Sequence, residues 1–120
     1  MGIYAAMVPV KLPGLNDYIR ACRGNKYRAN ELKNNVERTI AFYLRPLPAF
    51  TGPVRIRFTW YEKDRRRDLD NVAFGKKFIL DALVKDGHLP DDNRRYVVAF
   101  SDDFKMADAC GVFVEITEME

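Results

Sequence analysis

The chain of 120 residues is 48% hydrophobic and 31% charged, and its formal net charge is +3 at pH 7. This size predicts one compact domain over residues 1–120 with a single core. The small excess of Lys and Arg is only a faint indication of nucleic-acid binding, and no apolar run approaches the roughly 20 residues of a membrane-spanning helix.

The cysteines and the N-terminus indicate the cellular compartment in which the protein is expected. Cys22 and Cys110 lie far apart without CxxC or Cys/His spacing, which argues against a disulfide framework or a zinc site. The N-terminus MGIYAAMVPVK lacks a basic leader followed by an apolar core. We therefore expect a cytoplasmic protein with reduced thiols, no membrane association and no organic cofactor.

Two strands and one helix are predicted in the first half of the chain. Ile3–Val10 is an apolar strand that the prolines of VPVKLPGLNDY end, and the basic segment after it is expected to be a connection. ANELKNNVERTIAFYL carries apolar residues at helical spacing and stops before Pro46. VRIRFTWYE alternates so that every second residue from Val54 to Trp60 faces the core.

The second half is predicted to hold one helix and two short strands. The helix is expected from about Asn71 to Lys85, with Asp70 as its N-cap. The strands are expected at Tyr96–Phe100 and Val112–Thr117, separated by the polar connection SDDFKMADA. The order β-α-β-α-β-β predicts an α+β (mixed α/β) domain in which two helices pack against one mixed sheet.

The segment KDRRRDLDN places the densest positive charge of the chain directly before two aspartates. In extended backbone Asp68 and Asp70 project to the same side, with Cα atoms about 7 Å apart. The acidic pair Asp91 and Asp92 follows the second helix, where a returning loop would bring one of them to the same strand end. Oxygen ligands without Cys or a His pair suit a hard cation, Mg2+ or Mn2+.

The arginines gain a role beside such a cation. Clustered carboxylates repel a polyanion, but Arg65, Arg66 and Arg67 together with the metal make the local field attractive to phosphates. This combination predicts hydrolysis of a phosphodiester by a metal-activated water. Structural roles compete with it: the arginines as a solvated loop, Asp70 as a helix cap, and the Asp91-Asp92 pair as a turn.

RRRDLDN also resembles a motif of the RusA-like Holliday junction resolvases, small dimeric endonucleases of bacteria and their prophages. LPGLNDY resembles the family's proline-rich turn, ILDAL resembles its helix, and the DD of LPDDN follows at an appropriate distance. The resemblance covers most of the chain. It implies Mg2+-dependent resolution of four-way DNA junctions by paired symmetric nicks, in a homodimer whose two sites match the two-fold junction.

The resemblance further implies roles for individual residues. Asp68 and Asp70 correspond to the two aspartates of the family's motif and Asp92 to its third essential aspartate, which makes Asp91 the weaker ligand. The family's functional lysine stands one helical turn after the second aspartate, and this chain has Phe74 there.

The lysine has two candidates because the stretch from DLDN to DAL is longer than in the family. Counting back from ILDAL gives Lys77, with Lys76 as its neighbour. On an ideal helix Lys77 lies within about 20° of the azimuth of Asp70, and Lys76 lies about 120° away. We therefore favour Lys77 as the lysine that contacts the scissile phosphate. A surface pair between Lys77 and Asp81 is the structural alternative.

Further basic residues extend the predicted DNA-binding surface. They are Lys63, Arg94, Arg95, Arg23 and Lys26. Tyr18 and Tyr27 are suited to stacking on opened bases, although packing roles are favoured. His88, the sole histidine, is expected to be structural or solvent-facing.

These patterns together predict a metal-dependent endodeoxyribonuclease that resolves Holliday junctions. Two alternatives stay open. One is a non-catalytic nucleic-acid-binding protein whose aspartates only cap a helix. The other is a nuclease of other branched DNA, such as flaps.

Overall fold

The computed structural model of this chain describes residues 2–119, which form four strands and four helices. The strands are β1 (Ile3–Val8), β2 (Val54–Glu62), β3 (Val97–Met106) and β4 (Gly111–Glu118), and the helices are α1 (Leu15–Gly24), α2 (Lys26–Leu44), α3 (Leu69–Ala73) and α4 (Lys76–Lys85). The predicted α+β class with one mixed sheet is confirmed. Within residues 2–119, no helix is both long and apolar enough to cross a membrane.

The strands lie in the order β1-β4-β2-β3. Strand β4 runs antiparallel to both of its neighbours, whereas β3 runs parallel to β2 at the edge of the sheet. The parallel pair brings the C-terminal ends of β2 and β3 together, with Glu62 opposite Met106. The RRRDLDN segment therefore leaves the sheet at the end where β3 also finishes.

One hydrophobic core lies between the helices and one face of this sheet. The alternate residues of β2 from Val54 to Trp60 are buried, as are Val112, Val114 and Ile116 of β4, so both predicted core faces are confirmed. Helices α2 and α4 pack against each other and complete the core. Fully burying one such aliphatic side chain contributes about 1.5–3 kcal/mol, and this layer is the main source of stability.

Helix α1 occupies the segment that was expected to be a connection. The carboxylate of Asp17 accepts a hydrogen bond from the Gly14 backbone N–H at 2.9 Å and so fixes the first turn. Asn25 has extended backbone between α1 and α2, and its side chain accepts from the Arg28 N–H at 2.8 Å. Local capping by these two polar residues organises the basic segment into two helices.

The predicted helix from Asn71 to Lys85 is divided into α3 and α4, and its start was placed too late. The Val72 N–H donates to the Asp68 carbonyl at 3.1 Å, so Asp68 and not Asp70 is the N-cap. The division falls at Gly75, where a Cβ atom would lie 3.1 Å from the Trp60 side chain and 3.2 Å from Leu12. Glycine lets the backbone pass closely over the core there, and any side chain would press on these two residues.

Strand β3 is longer than predicted, because SDDFKM is not a connection but its second half. The two aspartates find partners on other elements: Asp102 accepts from the Trp60 Nε1–H at 2.8 Å, and Asp103 pairs with Arg57 at 2.8 Å. Strand β1 is shorter than predicted and ends at Val8. Partners far away in the sequence therefore override a locally polar pattern.

The end of α4 positions the sole histidine. Gly87 has φ of +79°, and the N–H groups of Gly87 and His88 donate to the carbonyls of Val84 and Leu83 at 3.1 and 2.9 Å. This is a Schellman C-cap, which favours glycine. His88 is buried and its Nδ1 lies 3.0 Å from the Pro48 carbonyl oxygen, so the expected structural role is confirmed.

Candidate metal and nucleic-acid site

Arg67 anchors the RRRDLDN segment to the fold. Its guanidinium donates to both carboxylate oxygens of Glu62, at 2.9 and 2.8 Å, and to the Leu12 carbonyl at 3.0 Å. The two paired side chains are only 13% and 16% exposed. Arg65 and Arg66 remain exposed. The arginine run thus divides into one residue that holds the loop and two that face solvent.

The LPGLNDY turn docks directly onto this segment. The Asn16 backbone N–H donates to the Asn71 side-chain oxygen at 3.0 Å. Gly14 is buried against the same side chain, and a Cβ at Gly14 would clash with that oxygen. Together with the hydrogen bond from Arg67 to the Leu12 carbonyl, these contacts hold the LPGLNDY turn against the RRRDLDN segment.

Asp68 and Asp70 stand at the start of α3. Asp68 has extended backbone (φ −67°, ψ 158°), and its side chain makes no cap hydrogen bond, while Asp70 lies in the first helical turn. Both residues are exposed. The expectation that both are extended is therefore wrong for Asp70. The two carboxylates nevertheless lie within one turn and are open to solvent.

A cleft of about 410 Å³ lies beside Asp68, at the C-terminal ends of β2 and β3. Its charged wall is formed by Glu62, Asp64, Arg65, Arg67, Asp68 and Lys105, and its apolar wall includes Trp60, Phe104 and Met106. Because Arg67 neutralises Glu62, the cleft presents Asp64 and Asp68 beside Arg65 and Lys105. The sequence analysis did not select Asp64 or Lys105 as site residues. Lys105 lies at the cleft because β3 runs parallel to β2, and only that pairing could have identified it.

Asp91 and Asp92 lie at the opposite end of the sheet. Asp91 accepts from the Asp92 N–H at 2.7 Å and from Asn93 Nδ2 at 3.1 Å, which forms a turn. The turn leads into β3, since the Val97 N–H donates to the Asn93 carbonyl at 2.9 Å. The length of β3, about 30 Å at roughly 3.3 Å per residue, separates this turn from the cleft. The returning loop does not bring Asp92 to Asp68 within one chain.

The donor set fits a hard cation in part. Within residues 2–119, no group of three or more His, Cys, Asp or Glu side chains is close enough together to hold a metal ion. Asp68 and Asp70 still offer two exposed carboxylates, and Mg2+ commonly uses one or two carboxylates together with water and substrate phosphate. One chain therefore supplies a partial site for such an ion.

The two candidate lysines have different surroundings. Lys76 Nζ lies 2.6 Å from Asp102 Oδ2 and 4.2 Å from the centroid of the Phe100 ring, and its side chain is 17% exposed. Lys77 is 56% exposed, and its Nζ lies 3.5 Å from Asp81, which is the surface pair given above as the structural alternative. Lys76 is held against β3, whereas Lys77 is free to reach a ligand by giving up a weak pair.

The other predicted DNA-binding residues lie at three exposed places. Lys63 belongs to the same loop as the arginines, Arg94 and Arg95 lie beside the Asp91-Asp92 turn, and Arg23 and Lys26 lie where α1 meets α2; all five are exposed.

The two tyrosines of α1 and α2 differ in their surroundings. Tyr18 packs against Phe74 and Phe78, with ring centroids 5.5 and 6.0 Å away, so its packing role is confirmed. Tyr27 is 86% exposed, and the packing role favoured for it is wrong.

A scan of this chain against protein-family models and a search of the curated proteins found no match. The likeness to RusA-like resolvases rests on the residues of the motifs described above.

Proposed function

We propose that this protein is a metal-dependent endodeoxyribonuclease that resolves four-way DNA junctions as a homodimer. The observation that carries the proposal is the placement of the exposed carboxylate of Asp68 beside the exposed Arg65 in one cleft, with the exposed Asp70 two residues further along at the start of α3. Such an arrangement attracts a phosphate backbone and offers oxygen ligands at the same point. The resemblance of RRRDLDN, ILDAL and the DD pair to motifs of the RusA-like resolvases indicates that the substrate is the Holliday junction.

The residues of the site have different proposed roles, which follow from their positions. Arg65, Arg66 and Lys105 draw the DNA backbone to the cleft through charge attraction. Arg67 keeps the loop in place by its pair with Glu62. Asp68 and Asp70 would hold Mg2+ or Mn2+, which would supply a Lewis acid and an activated water. Lys77, which is largely exposed, contacts the scissile phosphate and balances its developing charge.

The test is Asp70→Asn on a synthetic mobile junction. Cleavage in Mg2+ should fall by at least about 100-fold, because loss of a direct ligand exceeds the usual effect of removing a supporting group. Junction binding should stay within about two-fold in a gel-shift assay at fixed salt, because it rests on basic residues. Asp108→Asn, an exposed aspartate in the β3–β4 turn, is the matched control. Wild-type cleavage by Asp70→Asn would contradict the proposal.

The rival function, a nucleic-acid-binding protein whose aspartates only cap a helix, is disfavoured by one observation. Asp68 occupies the N-cap, yet its side chain makes no cap hydrogen bond, and Asp70 is not the cap. A panel of four-way junction, flap and linear duplex substrates separates the remaining nuclease activities. Cleavage of linear duplex as fast as the junction would remove the assignment to Holliday junctions.

A further inference from the structure

Two carboxylates lie buried where helices α2 and α4 pack together, apart from the cleft beside Asp68. Glu37 of α2 is 3% exposed, and the side chain of Asp81 of α4 is 20% exposed. One oxygen of each, Glu37 Oε2 and Asp81 Oδ2, is buried and makes no hydrogen bond within residues 2–119. A buried charge without a partner is unfavourable, so both carboxylates depend on the cations around them.

Three lysine side chains surround these two carboxylates, and we call the five residues the α2–α4 cluster. Lys85 Nζ donates to Glu37 Oε1 at 2.9 Å. Lys77 Nζ lies 3.5 Å from Asp81 Oδ2. Lys33 Nζ lies between the carboxylates, 3.5 Å from Asp81 Oδ2 and 3.9 Å from Glu37 Oε2. The cluster therefore contains three positive charges and two negative charges.

The extra positive charge bears on Lys77, for which we propose contact with the scissile phosphate. If Lys77 moves away, the other two lysines still balance both carboxylates. Without Lys33, the same movement would leave the Asp81 carboxylate without an ion pair among residues 2–119, which is unfavourable for a largely buried charge. Arg38 and Asp86, both exposed at a neighbouring cavity of about 240 Å³, have opposite charges and do not alter this balance.

Lys33 is placed to pair more closely with Asp81 when Lys77 leaves. Its side chain is 37% exposed, and neither of its two contacts is as short as a charge-assisted hydrogen bond. Closing the 3.5 Å separation from Asp81 Oδ2 to the usual length of about 2.8 Å requires a shift of less than about 1 Å. The flexible stem of a lysine allows such a shift without movement of either helix.

We propose that Lys33 is a positioning residue of the nuclease reaction: it takes over the Asp81 carboxylate when Lys77 leaves to contact the scissile phosphate. This inference rests on the proposed function and adds two residues to it, Lys33 and Asp81, which act through Lys77. Asp81 holds Lys77 in place before the junction binds. Lys33 makes the release of Lys77 easier, because the Asp81 carboxylate keeps a cation beside it throughout.

The release of Lys77 is measured first without DNA, as the rate at which an amine-reactive ester labels it, read by mass spectrometry of the digested chain. Lys33→Met should slow this labelling by about three- to five-fold, the size of a partly exposed ion pair, because Lys77 becomes the remaining partner of Asp81. Adding Asp81→Asn should restore the wild-type rate. Arg38→Met, which removes a positive charge from an exposed position of the same helix, should change the rate by less than about two-fold.

The role in the reaction is tested by single-turnover cleavage of the junction by four proteins: wild type, Lys33→Met, Lys77→Met and the double variant. Lys33→Met should reduce the rate by about three- to five-fold, with junction binding in a gel-shift assay unchanged. Lys77→Met should reduce the rate further, and the double variant should match it, because Lys33 acts only through Lys77. Lys33→Arg should retain the wild-type rate, since its guanidinium keeps the charge.

The outcomes separate this inference from the function on which it rests. Unchanged labelling of Lys77 in Lys33→Met overturns the inference and leaves the nuclease in place. An equal loss of cleavage from Lys33→Met in the presence and absence of Lys77 does the same, because a purely structural role would give that result. A wild type that does not cleave the junction in Mg2+ overturns the proposed function and, with it, the role of Lys33 in the reaction. The labelling rates then still decide whether Lys33 controls the release of Lys77 from Asp81.

Discussion

Replacing Arg67 with alanine tests whether the arginine run is divided as the structure indicates. The change removes both hydrogen bonds to Glu62 and the one to the Leu12 carbonyl. Removing one partner of a fully buried pair costs about 3–5 kcal/mol. Because these side chains are 13% and 16% exposed, we reduce that cost to about 2–3 kcal/mol and add about 1 kcal/mol for the lost carbonyl bond.

The free energy of unfolding should therefore fall by about 3–4 kcal/mol, and the Tm by about 12–15 °C for a domain of this length. Urea and thermal denaturation at one fixed protein concentration measure both, since the Tm of a protein that associates depends on its concentration. Arg66→Ala is the matched control: that side chain is 89% exposed, and its loss should change stability by less than about 0.5 kcal/mol.

A double variant isolates the ion pair. Glu62→Met combined with Arg67→Met should recover much of the stability lost in Arg67→Ala, because an apolar pair leaves no charge buried without a partner. An Arg67→Ala protein as stable as Arg66→Ala would refute the division of the run. Arg67 would then belong with the exposed arginines for which we propose DNA contact.

Two further predictions concern stability. Asp102→Ala should lower the free energy of unfolding by about 2–4 kcal/mol in urea denaturation, because it leaves the Trp60 N–H and Lys76 without their shared partner; a loss under about 0.5 kcal/mol would contradict this. The hydrogen bond to Glu37 raises the pKa of Lys85 above its ordinary 10.5, so the stabilisation by this pair is complete below that pH and is lost as pH rises through the folded-state pKa. The stability difference between wild type and Lys85→Met should accordingly shrink above about pH 10.5, and a constant difference up to pH 12 would argue against the pair.

Regular patterns in the sequence were sufficient for the core. The apolar residues of strands β2 and β4 alternate, and all of their predicted inward residues are buried, with Thr59 of β2 buried in addition. The apolar spacing of α2 likewise predicted a helix that ends near Leu44. Each of these elements buries one face, and burial of one face produces a regular spacing of apolar residues that can be read from the sequence.

The elements that were predicted wrongly share one physical cause: the contacts that form them are not contained in a local sequence pattern. The second half of β3 looks like a loop because Asp102 and Asp103 are charged, yet their partners Trp60, Lys76 and Arg57 lie on other elements. No local pattern contains that information. Helix α1 was missed for a related reason: the adjoining proline and glycine marked a break, while the capping contact of Asp17 that begins the helix depends on geometry.

The positions of the site residues could likewise be predicted only in part from the sequence. The motif RRRDLDN and its place at the end of β2 were predictable, whereas the position of Asp92 depends on the direction of β3. A parallel strand reached through a helical crossover must begin at the opposite end of the sheet from the loop that follows the first strand. Because β3 is parallel to β2, acids after β2 and acids before β3 are separated by the topology itself. The separation of Asp92 from Asp68 within one chain is thus a consequence of the direction of β3, which no local pattern in the sequence records.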